Sequence, residues 1–198
     1  MLNLYIVRHG QTKWNTERRF QGWLDSPLTE NGILRAQELR LKLEPIKFDA
    51  CISSPSGRAV KTLALIVDLE PHLQSVDDRI KEIMLGNWQG MTHEEIETLY
   101  PEQLDLFYNN PESFKLHDAE SYQDVYDRVS SFIESLKVEF ACDNEEKNVL
   151  IVTHGVTLMV FQLIFDNADI SELTRYSVAN NAQIHHYRYS EEAFICVV

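Results

Sequence analysis

Short apolar runs alternate along this chain with stretches of helical periodicity, and two of the runs echo each other. One reads Leu4-Tyr5-Ile6-Val7-Arg8-His9-Gly10, the other Val149-Leu150-Ile151-Val152-Thr153-His154-Gly155. Each is rich in β-branched residues and stops at a histidine followed by a glycine. Runs of this kind predict strands buried on both faces, as in a parallel sheet. The glycine lets the backbone turn sharply or approach a ligand closely. Open α/β sheets bind ligands at the carboxyl ends of their strands, so the two strands are expected to deliver both imidazoles to one crevice. Arg8, directly after a buried run, needs an anionic partner or an exit to solvent.

Between the echoes the pattern changes several times. Residues 11–23 are polar, carry Trp14, Phe20 and Trp23, and lack a helical stripe, which predicts a functional loop. Thr29 is the expected N-cap of a helix running through Ile33, Ala36, Leu39 and Leu43 and ending before Pro45. Phe48 to Ile52 predicts a strand that runs into Ser53-Ser54-Pro55-Ser56-Gly57-Arg58, and Val60, Leu63, Ala64 and Val67 predict a helix over 59–69. Arg58 then opens a helix, where positive charge is disfavoured by the helix dipole unless an anion sits there too. Val76 begins a short extended piece that leads to Glu82, which lies beside apolar residues and ahead of the turn Gly86-Asn87-Trp88-Gln89-Gly90.

Thr92-His93-Glu94-Glu95 fits a capping box for a short helix that stops at Pro101, with His93 on its first-turn surface. Tyr122, Val125, Val129, Phe132, Ile133, Leu136 and Phe140 form one apolar stripe, predicting a helix over 121–140 that faces the core and turns an acidic face to solvent. A buried helix over 156–165 and a closing hairpin of 183–189 with 193–198 complete the chain. His185 and His186 fall on opposite faces of that strand and do not share a metal. Strands alternating with helices predict an α/β domain with a largely parallel sheet.

Composition narrows the function. The 198 residues suit a single domain, 1–198. A net charge of -13 argues against nucleic acid, which requires clustered Lys and Arg, but leaves room for a small phosphorylated substrate held by a few arginines. Cys51, Cys142 and Cys196 are widely spaced, show no CxxC pattern and are expected to be inert in a reducing compartment. No signal-peptide pattern and no apolar run of membrane-spanning length is read, so the expected setting is the cytoplasm, without membrane.

The candidate chemistry lies at strand ends and the loops beside them: Arg8 with His9, Arg58, Glu82 and His154. Two guanidinium forks match phosphate oxygens. A neutral, aligned imidazole is a nucleophile, and a carboxyl group in partly apolar surroundings can serve as a general acid. Two His, two Arg and a Glu without metal-ligand spacing suggest phosphoryl transfer through a phosphohistidine. The arginines, which would repel a divalent cation, weigh against a His/Glu metal site, and neither metal nor cofactor is expected.

Several of these stretches resemble the motifs of one family. Leu4 to Thr12, with Trp14-Asn15, Phe20-Gln21-Gly22 and Leu28-Thr29-Glu30-Asn31-Gly32, is similar to the signature of the histidine phosphatase superfamily, the phosphoglycerate mutase-like clan. Ser53 to Thr62 resembles its second motif, Glu82 with Gly86 to Gly90 its third, and Val152-Thr153-His154-Gly155 its fourth. The resemblance implies a three-layer α/β/α sandwich of phosphoglycerate mutase-like fold. It implies that His9 becomes phosphorylated, that Arg8, Arg58 and His154 bind the transferring group, and that Glu82 protonates the leaving oxygen. Asn15 then matches a phosphate contact, Gln21 and Gly22 the loop that touches substrate, and the backbone of Gly155 lies close.

Mutases of the family carry a longer, more basic insertion after the glutamate motif. Here the lid-like stretch 91–119 is short and acidic, with Lys115 its only Lys or Arg. A phosphatase of small phosphorylated metabolites is therefore expected over a mutase or a non-catalytic binding domain, with a homodimer left open as its assembly. Gly57, Gln89 and Ala119 depart from the family pattern and bear on specificity more than on activity.

Overall fold

The two echoing runs become neighbouring strands. β1 (Leu2–Arg8) and β4 (Lys147–Thr153) pair in parallel, with Leu4 opposite Val149 and Arg8 opposite Thr153. The computed structural model describes residues 1–68, 71–141, 145–190 and 193–197. Cys142, the last residue of the expected 59–69 helix and the last residue of the expected 193–198 strand lie outside the described residues. β2 (Ala50–Ser53) pairs in parallel with β4 and with β3 (Gln74–Val76). The hairpin of β5 (Ile184–Ser190) and β6 (Ala193–Cys196) adds antiparallel to the free edge of β1. The sheet order is β3-β2-β4-β1-β5-β6, mixed and mostly parallel.

Helices cover both faces, because side chains alternate along every strand. Val7, Cys51, Leu150 and Val152 point to α2 (Glu30–Leu43) and α3 (Gly57–Ile66). Leu4, Ile6, Ile52, Val149 and Ile151 point to α6 (Tyr122–Phe140) and α7 (Gly155–Phe165). The result is the three-layer α/β/α sandwich. Cys51 lies inside, where burial pushes its thiol up to about 12 and leaves it inert.

Two caps fall where the sequence puts them: Thr29 accepts from the Gly32 N–H, and Thr92 with Glu95 forms a capping box. The structure adds a capping box of Ser121 with Asp124 at the start of α6. Two expectations change, and one element is added. The 11–23 loop contains one helical turn, α1 (Lys13–Thr16), closed by a capping box of Thr12 and Asn15. The helix after Ser56 spans Gly57–Ile66 and buries Ala59, Thr62, Leu63 and Ile66, whereas Val60 and Ala64 face outward. A polar side can turn inward there because the Thr62 hydroxyl accepts from the Gly10 N–H at 2.9 Å. Finally, Pro101 ends α4 (His93–Leu99) but opens α5 (Pro101–Asn109), where its missing N–H costs nothing.

These two helices are fixed to the core by an aromatic cluster. Trp88, fully buried, packs against Phe20, Tyr100, Phe107 and Phe114 at ring distances of 5.6–6.2 Å. The stretch 91–119 is thereby an anchored wall. Trp88→Ala is expected to cost about 3–5 kcal/mol. Trp88→Phe is expected to cost less than half as much, since the buried indole N–H has no partner among the described residues to lose. Urea unfolding midpoints of the two variants check this.

Candidate active site

The shared register of β1 and β4 ends both strands at one level. The His9 N–H donates to the Thr153 carbonyl at 2.9 Å, and the His9 and His154 rings come to 5.2 Å between centroids. Both imidazoles are buried, at 2% and 0% exposure.

Arg58 lies between them, on the first turn of α3. Its Nε donates to His9 Nε2 at 3.3 Å and its Nη2 to His154 Nδ1 at 3.1 Å. The remaining N–H groups meet the carbonyls of Gly22 at 2.8 Å and Leu24 at 2.7 Å, and Asp25 Oδ1 at 3.1 Å. A guanidinium only donates, so these contacts fix the tautomers. His9 keeps a lone pair on Nε2 and donates from Nδ1 to the Gly10 carbonyl at 2.8 Å. His154 keeps a lone pair on Nδ1 and donates from Nε2 to Ser54 Oγ at 2.7 Å. Burial, and then the charge of Arg58, hold both imidazoles well below the ordinary histidine range, so both are neutral.

The anion that the position of Arg58 calls for is partly internal. Asp25 Oδ1 accepts from the Arg58 backbone N–H at 3.2 Å as well as from the guanidinium. Gly57 makes that approach feasible, because a Cβ there would stand 2.4 Å from Asp25 Oδ2. Sequence reasoning missed Asp25, although the basic residue opening a helix was the signal for it.

Glu82 sits at the N-terminus of α7. Its Oε1 accepts from the N–H of Ile83 at 3.0 Å and of Thr157 at 3.3 Å, and its Oε2 from the N–H of Val156 at 3.3 Å. The backbone behind it is gripped by Arg128. Nη1 of Arg128 donates to the carbonyls of Arg79 and Lys81, both at 2.7 Å, and Nη2 to the carbonyl of Glu82 at 3.1 Å. A half-buried fork onto Glu120 orients that guanidinium, at 2.9 and 3.0 Å. α6 therefore does more than present an acidic face to water. Arg128 reaches inward beside its apolar stripe, and neither it nor Glu120 was legible as a site residue.

The other candidates converge on the same place. Arg8 Nη1 donates to the Ala179 carbonyl at 2.7 Å, while its Nε is buried without a partner among the described residues. Burial and Arg58 press the Arg8 guanidinium downward in pKa, and Glu82 opposes them. At Gly155 a Cβ would stand 2.8 Å from Val178 and 3.5 Å from Arg8 Nε, so only glycine leaves this approach open. Asn15 Oδ1 closes the α1 capping box by accepting from the Thr12 N–H at 3.0 Å. Gly22 has φ +52, and Gln89 fills the space a side chain there would need, accepting from the Trp23 N–H at 2.7 Å.

Arg8, His9, Asn15, Gln21, Gly22, Arg58, Glu82 and Gly155 line one cavity of about 300 Å³. His154 lies behind Arg58 and instead faces an adjoining cavity of about 190 Å³, with Ser54, Ser56 and Lys81. A larger hollow of about 570 Å³, around Gln11, Arg35 and Asn181, holds neither nucleophile nor buried cation, so size alone does not mark the site. His93 differs from its expected place. It is half-buried and lines the cleft, between Phe20 and Tyr108 at ring distances of 6.3 and 6.0 Å. Among the described residues no group of three or more His, Cys, Asp or Glu is placed to hold a metal ion. The arrangement offers an imidazole lone pair, fixed positive charge for an anionic group, and a carboxyl able to exchange a proton.

A family model described as histidine phosphatase superfamily (branch 1) matches residues 4–198. Phosphoserine phosphatase 1 of Hydrogenobacter thermophilus is 31% identical over 180 residues, covering 91% of this chain and 83% of that protein. A probable phosphoglycerate mutase, GpmB of Escherichia coli O1:K1, is 33% identical over 165 residues, covering 80% and 72%. The solved structure of Bacillus stearothermophilus YhfR superposes with a TM-score of 0.92 at 34% identity, covering 100% of this chain and 96% of that one.

The buried imidazoles make stability depend on pH. Each is held neutral in the fold, whereas in the unfolded chain it takes up a proton near 6.5. Below that pH the unfolded state binds more protons, so stability present above 6.5 is lost as pH falls, by about 1.4 kcal/mol per pH unit for each histidine. His9→Asn is expected to lower that slope by about one proton's worth, read from urea unfolding at a series of pH values below neutrality.

Proposed function

The chain belongs to the histidine phosphatase superfamily, and on that footing we propose that it hydrolyses small phosphomonoesters through a phosphohistidine on His9. The observation that carries this reading is Arg58, whose guanidinium joins the two neutral imidazoles beside a cavity that Glu82 also lines. Its bonds to the imidazoles, at 3.3 and 3.1 Å, are longer than those to the carbonyls of Leu24 and Gly22, at 2.7 and 2.8 Å. An incoming phosphoryl group therefore takes the donors now resting on the histidines. That releases the His9 Nε2 lone pair for attack.

In the first step His9 Nε2 bonds to phosphorus and the ester P–O bond breaks. Arg8, whose Nε has no partner among the described residues, and Arg58 stabilise the charge on the phosphoryl oxygens. His154 joins them through the nitrogen that faces Arg58, and the Ser54 hydroxyl behind it can donate or accept as the ring changes protonation. Glu82 gives a proton to the departing oxygen, and the alcohol leaves. In the second step a water attacks phosphorus, Glu82 takes its proton, the N–P bond breaks, and inorganic phosphate departs with His9 restored. Asn15, Gln21, Gly22 and the Gly155 backbone line the path of the substrate. Positioning and fixed electrostatics account for most of such catalysis.

One relative is named a probable mutase, which makes phosphoglycerate interconversion the second reading. Hydrolysis is favoured because the wall over the cleft contributes His93, Phe107 and Tyr108 and no Lys or Arg. A mutase must hold a phosphorylated intermediate while it reorients away from water. A purely binding domain would not need Glu82 and His9 together. We further read residues 1–198 as one domain with its lid-like wall around 91–119. The proposed partner is a small phosphorylated metabolite in the cytoplasm, not nucleic acid, and a homodimer is compatible with that role. No helix among the described residues is long and apolar enough to cross a membrane.

His9→Ala is expected to lower phosphate release by at least about 10³-fold and to abolish the acid-labile mass increase of one phosphoryl group in quenched enzyme. Retained turnover would overturn the phosphohistidine. Glu82→Gln is expected to lose about 10²–10⁴-fold on alkyl phosphates and far less on p-nitrophenyl phosphate, whose leaving group needs no proton. Equal losses on both would make Glu82 a structural residue.

A further inference from the structure

The outer part of the cleft holds charge that the chemistry above does not use. Arg18, His93 and Tyr108 line the same cavity as His9 and Arg58. They lie toward its mouth, since Arg18 is exposed and Tyr108 is 47% exposed while His9 is buried. Phe20, Phe107, Leu85 and Val156 form the apolar lining of the same cavity.

Arg18 is held in place by its backbone. Its φ of +56 is uncommon for any residue other than glycine. Its N–H donates to the Asn15 carbonyl at 3.3 Å, and its carbonyl accepts from the His93 N–H at 2.9 Å, so α1 and α4 both fasten it. The neighbouring Arg19 is engaged, with Nε on Glu17 at 2.7 Å, Nη1 on the Gly90 carbonyl at 2.8 Å and Glu95 at 3.7 Å. The Arg18 side chain, by contrast, makes no ion pair among the described residues. This is so in a chain where 31 acidic residues outnumber 18 basic ones. Its charge also reaches the Tyr108 hydroxyl, drawing down a pKa that burial raises.

We infer that Arg18, with Tyr108 and His93 beside it, forms a second-anion subsite, and that the preferred substrates are phosphomonoesters that also carry a carboxylate. A single guanidinium presents parallel donors that match one carboxylate. A second phosphate, with twice the charge, would call for a second free cation, and Arg19 is already paired. The substrate then spans the cleft, its phosphate against His9 and Arg58 and its carboxylate at the rim. The inference rests on the phosphatase reading for its chemistry, but the subsite is testable by binding alone.

The test compares 3-phosphoglycerate with glycerol 3-phosphate, which differ in a carboxylate replaced by an alcohol. The neutral variant is Arg18→Asn, because asparagine tolerates the left-handed backbone, with Arg18→Lys as a charge-retaining control. The ratio of kcat/KM for the two esters is expected to favour the carboxylate by about tenfold or more in wild type, and to fall toward one in Arg18→Asn. Arg18→Lys should keep part of the preference, and raised salt should weaken it. In parallel, affinities for both esters are measured on His9→Ala protein with and without Arg18→Asn.

Release from both esters with an unchanged ratio in Arg18→Asn would overturn the subsite and leave the phosphatase standing. No release, with a binding ratio that still depends on Arg18, would overturn hydrolysis and support the subsite. A larger dependence on Arg18 for 2,3-bisphosphoglycerate than for 3-phosphoglycerate would overturn the carboxylate assignment.

Discussion

Arg58 is buried between two imidazoles, and a buried guanidinium with a missing partner would cost several kcal/mol. Each of its N–H groups is therefore answered, by two ring nitrogens, two carbonyls and Asp25. That requirement reaches far into the chain. The 22–25 loop must present its carbonyls toward α3, Gly57 must lack a side chain so that Asp25 can approach, and both histidines must stay neutral to accept. The tautomer that leaves a lone pair on His9 Nε2 follows from this single constraint.

The carboxyl partner is held from the opposite layer. Glu82 lies on an irregular segment with no ladder of its own, so its backbone needs other restraints. Arg128 supplies them from α6, bonding three carbonyls of that segment, at Arg79, Lys81 and Glu82, while Glu120 fixes the guanidinium. The N-terminus of α7 holds the carboxyl group itself. Arg58 is thus held from the α3 layer and Glu82 from the layer of α6 and α7, with His9 at the end of β1 between them. Pre-set dipoles and charges of this kind do not reorganise during reaction, which is where such sites gain most of their effect.

The wall over the cleft shows how a short insertion can shape a site without charge. Its acidic residues face water, while Ile96, Leu104, Phe107 and Phe114 join the core around Trp88. The apolar side of the insertion fixes its position, and its inward edge sets the lining of the cleft. The positive charge at the mouth comes instead from Arg18, on the loop after β1.

Much of this was legible from the chain alone, where the signal is local. Apolar runs ending in His-Gly, capping residues at Thr29 and Thr92, and the long stripe of α6 are set by backbone periodicity and short-range hydrogen bonds, so they can be read within a few residues. His9, Arg58, Glu82 and His154 were legible as chemistry because charged or titratable groups beside buried strands need a reason. What the sequence could not carry was partnership across distance. Asp25 answering Arg58, Arg128 holding the Glu82 backbone, Thr62 turned inward while Val60 turned out, and His93 facing the cleft all depend on which polar atoms meet after the layers close. A polar side chain is buried only where its hydrogen bonds are met, and that partner, often dozens of residues away, is decided by the tertiary structure alone.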